Sequence, residues 1–247
     1  MSNGRTSPVL LSAAQNMNTA TDLVVKLNGG MDAGTAGAAY EVIASLLASR
    51  LNISCPEPNL VFISEELAEL IGELNPSKAS LMKQSVGWNF GSRMMKNFAI
   101  WPVDRTLPTS LVDEAADVFA FDALIQNPDR SYKNPNLGTQ GDALQVFDHE
   151  CAFSFLYNIF PTAFPWDLTA EHYLNDHVFV KALRNRANNW RPFLQLLAGI
   201  DSQFVPSIAN ELPTDWNLTR LPDIELHLAV VRDHSNDFEL QLQRRCA

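Results

Sequence analysis

The chain has 247 residues, 46% of them apolar and 19% charged, which supplies enough apolar material for one large core or two small lobes and excludes a disordered chain. Its 18 Lys and Arg stand against 28 Asp and Glu, a formal charge of −10. A surface that acidic repels phosphate backbones and anionic lipid headgroups, which argues against generic nucleic-acid or membrane-surface binding.

The N-terminal run MSNGRTSPVLLSAAQNMN lacks the basic region and long apolar stretch of a signal peptide, and no later apolar run is long enough to span a bilayer. Cys55, Cys151 and Cys246 lie far apart without CxxC spacing, so the expectation is a reducing, cytoplasmic setting and no thiolate zinc site. Residues 8–14 and 22–27 read as short strands separated by a polar loop, Ser12–Thr21. Residues 36–51 carry apolar positions at helical spacing among good helix formers, and CPEP then breaks the helix. Strand character returns at 59–64, followed by helical pieces near 65–73 and 77–85. One strand and a connector are expected within VGWNFGSRMMKNFAIWP. Residues 110–125 read as a buried helix opened by Ser110 and Asp113 as a capping pair. After a turn-rich loop, a turn at Gly141–Asp142 leads into a strand, Ala143–Phe147, that ends at Asp148. Beyond about residue 167 the pattern is helical, with breaks that include Pro206 and Pro213.

The chemistry concentrates in Asn127–Asp148. A charged, amide-rich loop between a buried helix and a hairpin is costly unless its polar groups meet each other, a metal or a ligand. In NPDRSYKN, Asp129 is followed five residues later by Asn134, and Asp148 closes the hairpin. Phosphoryl transfer needs this set: a carboxylate that orients the attacking hydroxyl, and an amide oxygen plus a second carboxylate to hold Mg²⁺. Asn136 competes with Asn134 for the metal role, with spacing favouring Asn134. Glu150 competes with Asp148, whose place directly after an apolar strand favours it. Upstream, Lys26 interrupts the apolar strand LVVKL and is the only Lys of the first 77 residues, while Glu41 stands in the apolar helix AAYEVIASLL. Either charge buried alone would be expensive, which implies an ion pair between them.

On PVLL…DLVVKL, AAYEVIASLLASRL with SCPEPNL, GWNFGS, FDALIQNPDRSYKNPNL, LQVFDHECAF and the late ELPTDW, the chain resembles the HipA-like kinases, a branch related to the phosphatidylinositol 3- and 4-kinase-like arm of the protein kinase fold. The resemblance implies an α+β, two-lobed protein kinase-like fold. Residues 1–98 would form a small mixed N-lobe and residues 99–247 a mostly helical C-lobe. It also implies ATP and Mg²⁺ as ligands and transfer of the γ-phosphate to Ser or Thr of a protein substrate. By that analogy Lys26 contacts the phosphates, Glu41 orients Lys26, Asp129 is catalytic, and Asn134 and Asp148 bind metal. A regulatory or antitoxin-like protein partner belongs to the same expectation. No GxGxxG loop precedes Lys26, so Ser12–Thr21 is the candidate cover for the phosphates, and Ser131 stands where relatives often have His. The missing glycine loop feeds the competing reading, a pseudokinase or interaction module that binds nucleotide or protein without transfer.

The five histidines show no HExxH or HxxxH spacing, and no GxSxG elbow occurs. Trp190, Trp216 and the aromatic run 153–166 read as packing residues. The basic cluster Lys181, Arg184, Arg186 and Arg191 reads as a solvated helix face, with a docking patch for an acidic partner as its functional alternative.

Overall fold

The computed structural model describes residues 8–16, 19–159 and 164–247. A four-stranded antiparallel sheet opens the chain, ordered β1 (Val9–Asn16), β2 (Thr19–Lys26), β4 (Gly87–Arg93), β3 (Pro58–Ile63). The stretch expected as a polar loop, Ser12–Thr21, is instead mostly ladder. β1 and β2 pair from Val9↔Val25 to Asn16↔Thr19, and Ser12 donates a hydrogen bond to Asp22 across the hairpin. Cross-strand pairing outweighs the low strand propensity of its Ser, Ala and Asn residues. The candidate phosphate cover is therefore a hairpin, and its tip, residues 17–18, lies outside the described residues.

One face of this sheet carries Leu23, Val25, Val61 and Ile63 into a small core with α2 (Glu65–Leu74) and α3 (Ala79–Gln84). Ser64 caps α2 by accepting from the Leu67 N–H at 3.2 Å. The strand period of two sends alternate residues to the opposite face. There Lys26 lies opposite Phe90 in the ladder, and α1 (Gly34–Arg50) packs. α1 is buried almost all round, from Ala36 to Ala48. It joins the larger core, which runs through α4 (Val112–Leu124) to the C-terminal helices. α1 thus couples the sheet to the rear of the molecule.

The connector after β4 holds a second strand. β5 (Phe98–Ile100) pairs with β6 (Leu137–Gln140), which pairs with β7 (Ala143–Val146). Tertiary pairing makes β5 a strand, a signal its three residues cannot carry alone. The turn expected at Gly141–Asp142 joins β6 to β7, with Gly141 at φ +61°. α4 is not capped by Ser110 and Asp113. A 3-10 turn, Thr109–Leu111, feeds it directly and makes Leu111 its N-cap. Asp113 and Glu114 still sit in the first turn, where negative charge suits the helix dipole, and Glu114 accepts from the Leu144 N–H of β7 at 2.9 Å.

The rear is helical: α5 (Val180–Leu183), α6 (Arg191–Ala198), α7 (Phe204–Glu211), α8 (Leu221–Asp233) and α9 (Ser235–Arg245). Pro206 does not break the pattern. It lies in the first turn of α7, where a backbone N–H has no helical partner to lose, whereas Pro213 follows the end of α7. Trp190 and Trp216 are both packing anchors. The Trp190 indole donates to the Ala116 carbonyl at 3.0 Å, and that of Trp216 to the Trp88 carbonyl of β4 at 3.2 Å. With the Asn217 N–H on Thr35 Oγ1 at 3.0 Å, Trp216 ties the C-terminal half to the first sheet and to α1. In the aromatic run Phe153 is fully buried and Phe155 stacks on His227 at 4.0 Å, while residues 160–163 lie outside the described residues. No helix among the described residues is long and apolar enough to cross a membrane.

Gly138 shows how tightly the second sheet is drawn. A Cβ there would run into the Phe98 ring and lie 2.5 Å from the Ala99 carbonyl oxygen. Gly138→Ala is expected to cost about 1–3 kcal/mol by overpacking, read as a lowered midpoint in denaturant unfolding. An unchanged midpoint would show that β5 and β6 approach less closely than described.

Candidate active site

The site begins with one cation among carboxylates. Lys26, on the last residue of β2, is 8% exposed and donates to Glu41 of α1 and to Asp148 Oδ1 at 2.5 Å. Glu150 Oε2 stands 3.8 Å from the same ammonium. Burial works against the charge on Lys26, but Glu41 and Asp148 outweigh it and hold the ammonium protonated above the ordinary lysine range. Burial equally opposes ionisation of Asp148, and Lys26 reverses that, leaving its carboxyl below the usual range. The other oxygen of Glu41, Oε2, accepts the backbone N–H of His149 at 3.0 Å. One side chain on α1 therefore fixes both the strand lysine and the backbone that follows Asp148. Three carboxyl groups thus surround one ammonium, and burial pushes Glu41 and Glu150 up toward the protonated form, with Lys26 opposing it in both.

Facing this cluster is the loop after α4. Asp129 accepts from Asn134 Nδ2 at 3.0 and 3.1 Å and from Asn136 Nδ2 at 2.7 Å. Both asparagines weighed in the sequence thus converge on the same carboxylate, Asn134 exposed and Asn136 buried. Asn136 adopts φ +46°, and its carbonyl accepts the Phe147 N–H at 3.1 Å, which places the loop beside Asp148. Asp148 itself is at φ +61° with its side chain 32% exposed, so the carboxylate opens outward. Cys151 registers the convergence of the two halves. After burial, Asp129, Asp148 and Glu150 together push its thiol up to about 11.

Beneath the loop lies a polar core that the spacing of motifs did not single out. Asp122, inside the apolar helix α4 and fully buried, accepts from Arg130 Nε at 2.6 Å, from Asn127 Nδ2 at 2.9 Å, and meets His177 Nε2 at 3.0 Å. Arg130 also donates through Nη1 to the Asn136 carbonyl and to that of Phe147 at 3.2 Å. One guanidinium thereby holds the backbone at both ends of the β6–β7 hairpin. Asn127 Oδ1 accepts the Asp129 N–H at 3.2 Å, completing the frame under the candidate catalytic carboxylate. The signal was present in the sequence: an acid in DVFAFDALI must find a partner, and Arg130 adjoins Asp129. Ser131 forms a bridge with His177, which brings an imidazole to Asp122 from a distant segment.

The donors toward a cation would be hard oxygens, the Asp148 carboxylate and the Asn134 amide oxygen, since Asn134 spends its NH₂ on Asp129. That chemistry suits Mg²⁺ rather than zinc. Among the described residues no group of three or more His, Cys, Asp or Glu is arranged to hold a metal alone, so ligand oxygens would have to complete the shell.

Asp122→Asn would leave Arg130 buried without its carboxylate, at an expected cost of about 3–5 kcal/mol in chemical unfolding. Burial raises the Asp122 carboxyl, but Arg130 and His177 overcome it and hold it down at about 2. With a folded value below the unfolded one, this stabilisation is complete above about pH 4 and is lost as pH falls toward 2. The gap between the wild type and Asp122→Asn should therefore narrow only in that acid window. A constant gap down to pH 2 would contradict the pairing.

No curated protein matches the chain at a significant level. Among solved structures, the crystal structure of the Helicobacter pylori proinflammatory kinase CtkA superposes with a TM-score of 0.52. It is 14% identical, with 94% of each chain covered, a likeness that shows the two-lobed kinase fold. The family model of the HipA-like kinases matches residues 1–239, and with nearly the whole chain covered, the protein belongs to the HipA-like kinase family.

Proposed function

We propose that the protein is an ATP- and Mg²⁺-dependent kinase that transfers the γ-phosphate to Ser or Thr of a protein. The observation that carries this reading is the pairing of Lys26 with Glu41 and Asp148 opposite a carboxylate, Asp129, held by two asparagines. Lys26 would exchange its contact with Asp148 for phosphate oxygens, with Glu41 keeping the ammonium in place. Asp129 would orient the acceptor hydroxyl and take its proton as the oxygen attacks the γ-phosphorus and the bond to the β-phosphate oxygen breaks. Asn134 and Asp148 would hold Mg²⁺, whose chemistry is to neutralise charge on the phosphates during transfer. Most of the rate enhancement would come from positioning and from charge compensation, since the protein forms no covalent bond. The lobe division near residue 98, a protein acceptor and a regulatory or antitoxin-like partner belong to the same proposal.

Purified protein incubated with Mg²⁺, γ-labelled ATP and a protein acceptor mixture, followed by intact mass, tests it. Asp129→Asn should lower transfer by about 10²–10⁴-fold, the range for loss of a general base, while ATP binding by calorimetry persists. Lys26→Ala should weaken binding and transfer together. Transfer by Asp129→Asn at the wild-type rate would overturn the assignment of Asp129. ATP bound without transfer to any acceptor would support the pseudokinase reading, and no ATP binding at all would remove the enzyme reading.

A further inference from the structure

We propose that the basic surface made by Lys133, Lys181, Arg184 and Arg186 receives an acidic segment of the protein that accepts the phosphate. This rests on the kinase reading above and adds the substrate class to it.

The chain carries 28 acidic residues, yet none falls in Arg130–Gly141 or in His177–Ile200. The fold brings these two acid-free segments together. The Val178 N–H donates to the Arg130 carbonyl at 3.1 Å and Ser131 bridges His177, while the Tyr132 N–H donates at 3.0 Å to the backbone carbonyl of Asp176, the exposed acid that borders the second segment. α5 starts at Val180, directly after this junction, and its Lys181 ammonium lies 5.1 Å from the centre of the Tyr132 ring. Lys133, from the candidate catalytic loop, lies 5.6 Å from the same ring. The loop that follows α5 is tied back by Asn188 Nδ2 on the Leu183 carbonyl at 2.9 Å and by the Asn185 N–H on the Cys246 carbonyl at 2.9 Å. Arg184 and Arg186, both exposed, are presented on that loop.

Among the described residues none of these four cations takes part in an ion pair, whereas Arg93, Arg130, Arg220 and Arg232 each have a carboxylate. Two ammonium groups share one aromatic ring, a like-charge arrangement that an incoming carboxylate relieves. The surface adjoins Asp129 through only a few residues of backbone, so a segment lying on it would reach the candidate catalytic carboxylate. A short acidic peptide fits better than RNA. The Tyr132 ring, the stacking surface a base would use, is occupied by lysines, and beyond the patch a long polyanion meets a molecule of charge −10.

The test uses two fluorescein-labelled peptides of equal length, each with one central Ser, flanked by Glu in one and by Lys in the other. Anisotropy is measured with the full chain and with the double variant Lys181→Glu/Arg184→Glu. The wild type should prefer the Glu peptide, with affinity falling as salt rises, and the variant should lose about tenfold or more of it. Unchanged ATP binding and far-UV circular dichroism would show that the variant is folded and its cleft intact. Equal binding of both peptides by the wild type, or undiminished Glu-peptide binding by a folded variant, would overturn the proposal. So would displacement of the peptide by a short single-stranded RNA at lower concentration than by unlabelled Glu peptide. Because binding is read without catalysis, a wild type that selects the Glu peptide but never phosphorylates an acceptor would refute the kinase reading while leaving acidic docking in place.

Discussion

The buried pair between Asp122 and Arg130 is the constraint on which the candidate site depends. A carboxylate inside an apolar helix and a guanidinium with no exposed surface are tolerable only together. Beyond the pair, Nη1 of Arg130 donates to the carbonyls of Asn136 and Phe147. The loop that carries Asp129 and both ends of the β6–β7 hairpin are thus registered against α4 by one side chain. The positions of Asp129, Asn134, Asn136 and Asp148 follow from that registration more than from their local sequence preferences.

A second, less deeply buried pair performs the complementary task from α1 and β2. Glu41 lies on a helix embedded in the larger core, so its carboxylate is a fixed point to which Lys26 and the backbone of His149 are referred. The strand lysine belongs to a sheet whose other face has its own small core. That sheet could shift relative to the rear of the molecule were it not joined through α1 and through Trp216 and Asn217. Packing and polar contacts act here at different ranges. The core sets where α1 lies, and the hydrogen bonds set which side chains meet at the site.

Much of this arrangement was legible in the sequence, because buried charge is rare enough to be informative. Lys26 in LVVKL and Glu41 in AAYEVIASLL announced each other, and the spacing from Asp129 to Asn134 pointed to one loop. What stayed hidden depends on contacts that no local pattern encodes. Spacing favours Asn134 over Asn136, and the fold brings both amides to Asp129. His177 reaches Asp122 across 55 residues of chain, and nothing near either residue signals it. The stretch Ser12–Thr21 looked like a loop because its residues are poor strand formers, yet pairing with its neighbour makes it a hairpin. Ser110 and Asp113 satisfied a capping pattern, but the chain enters α4 through a 3-10 turn that leaves no place for the cap.

The gathering of three carboxyl groups around Lys26 has a consequence for the order of events at the site. A kinase's phosphate donor is a polyanion, and one ammonium shared by Glu41, Asp148 and Glu150 offers it little net attraction. On the kinase reading proposed above, a free triphosphate would be a poor visitor, and the donor would enter accompanied by its own countercharge. The same balance would govern departure. Once a phosphoryl group had left, the remaining diphosphate would carry less charge, and the carboxyl groups would be free to reclaim Lys26. On that reading, turnover would be gated by the traffic of cations as much as by the bond that is broken.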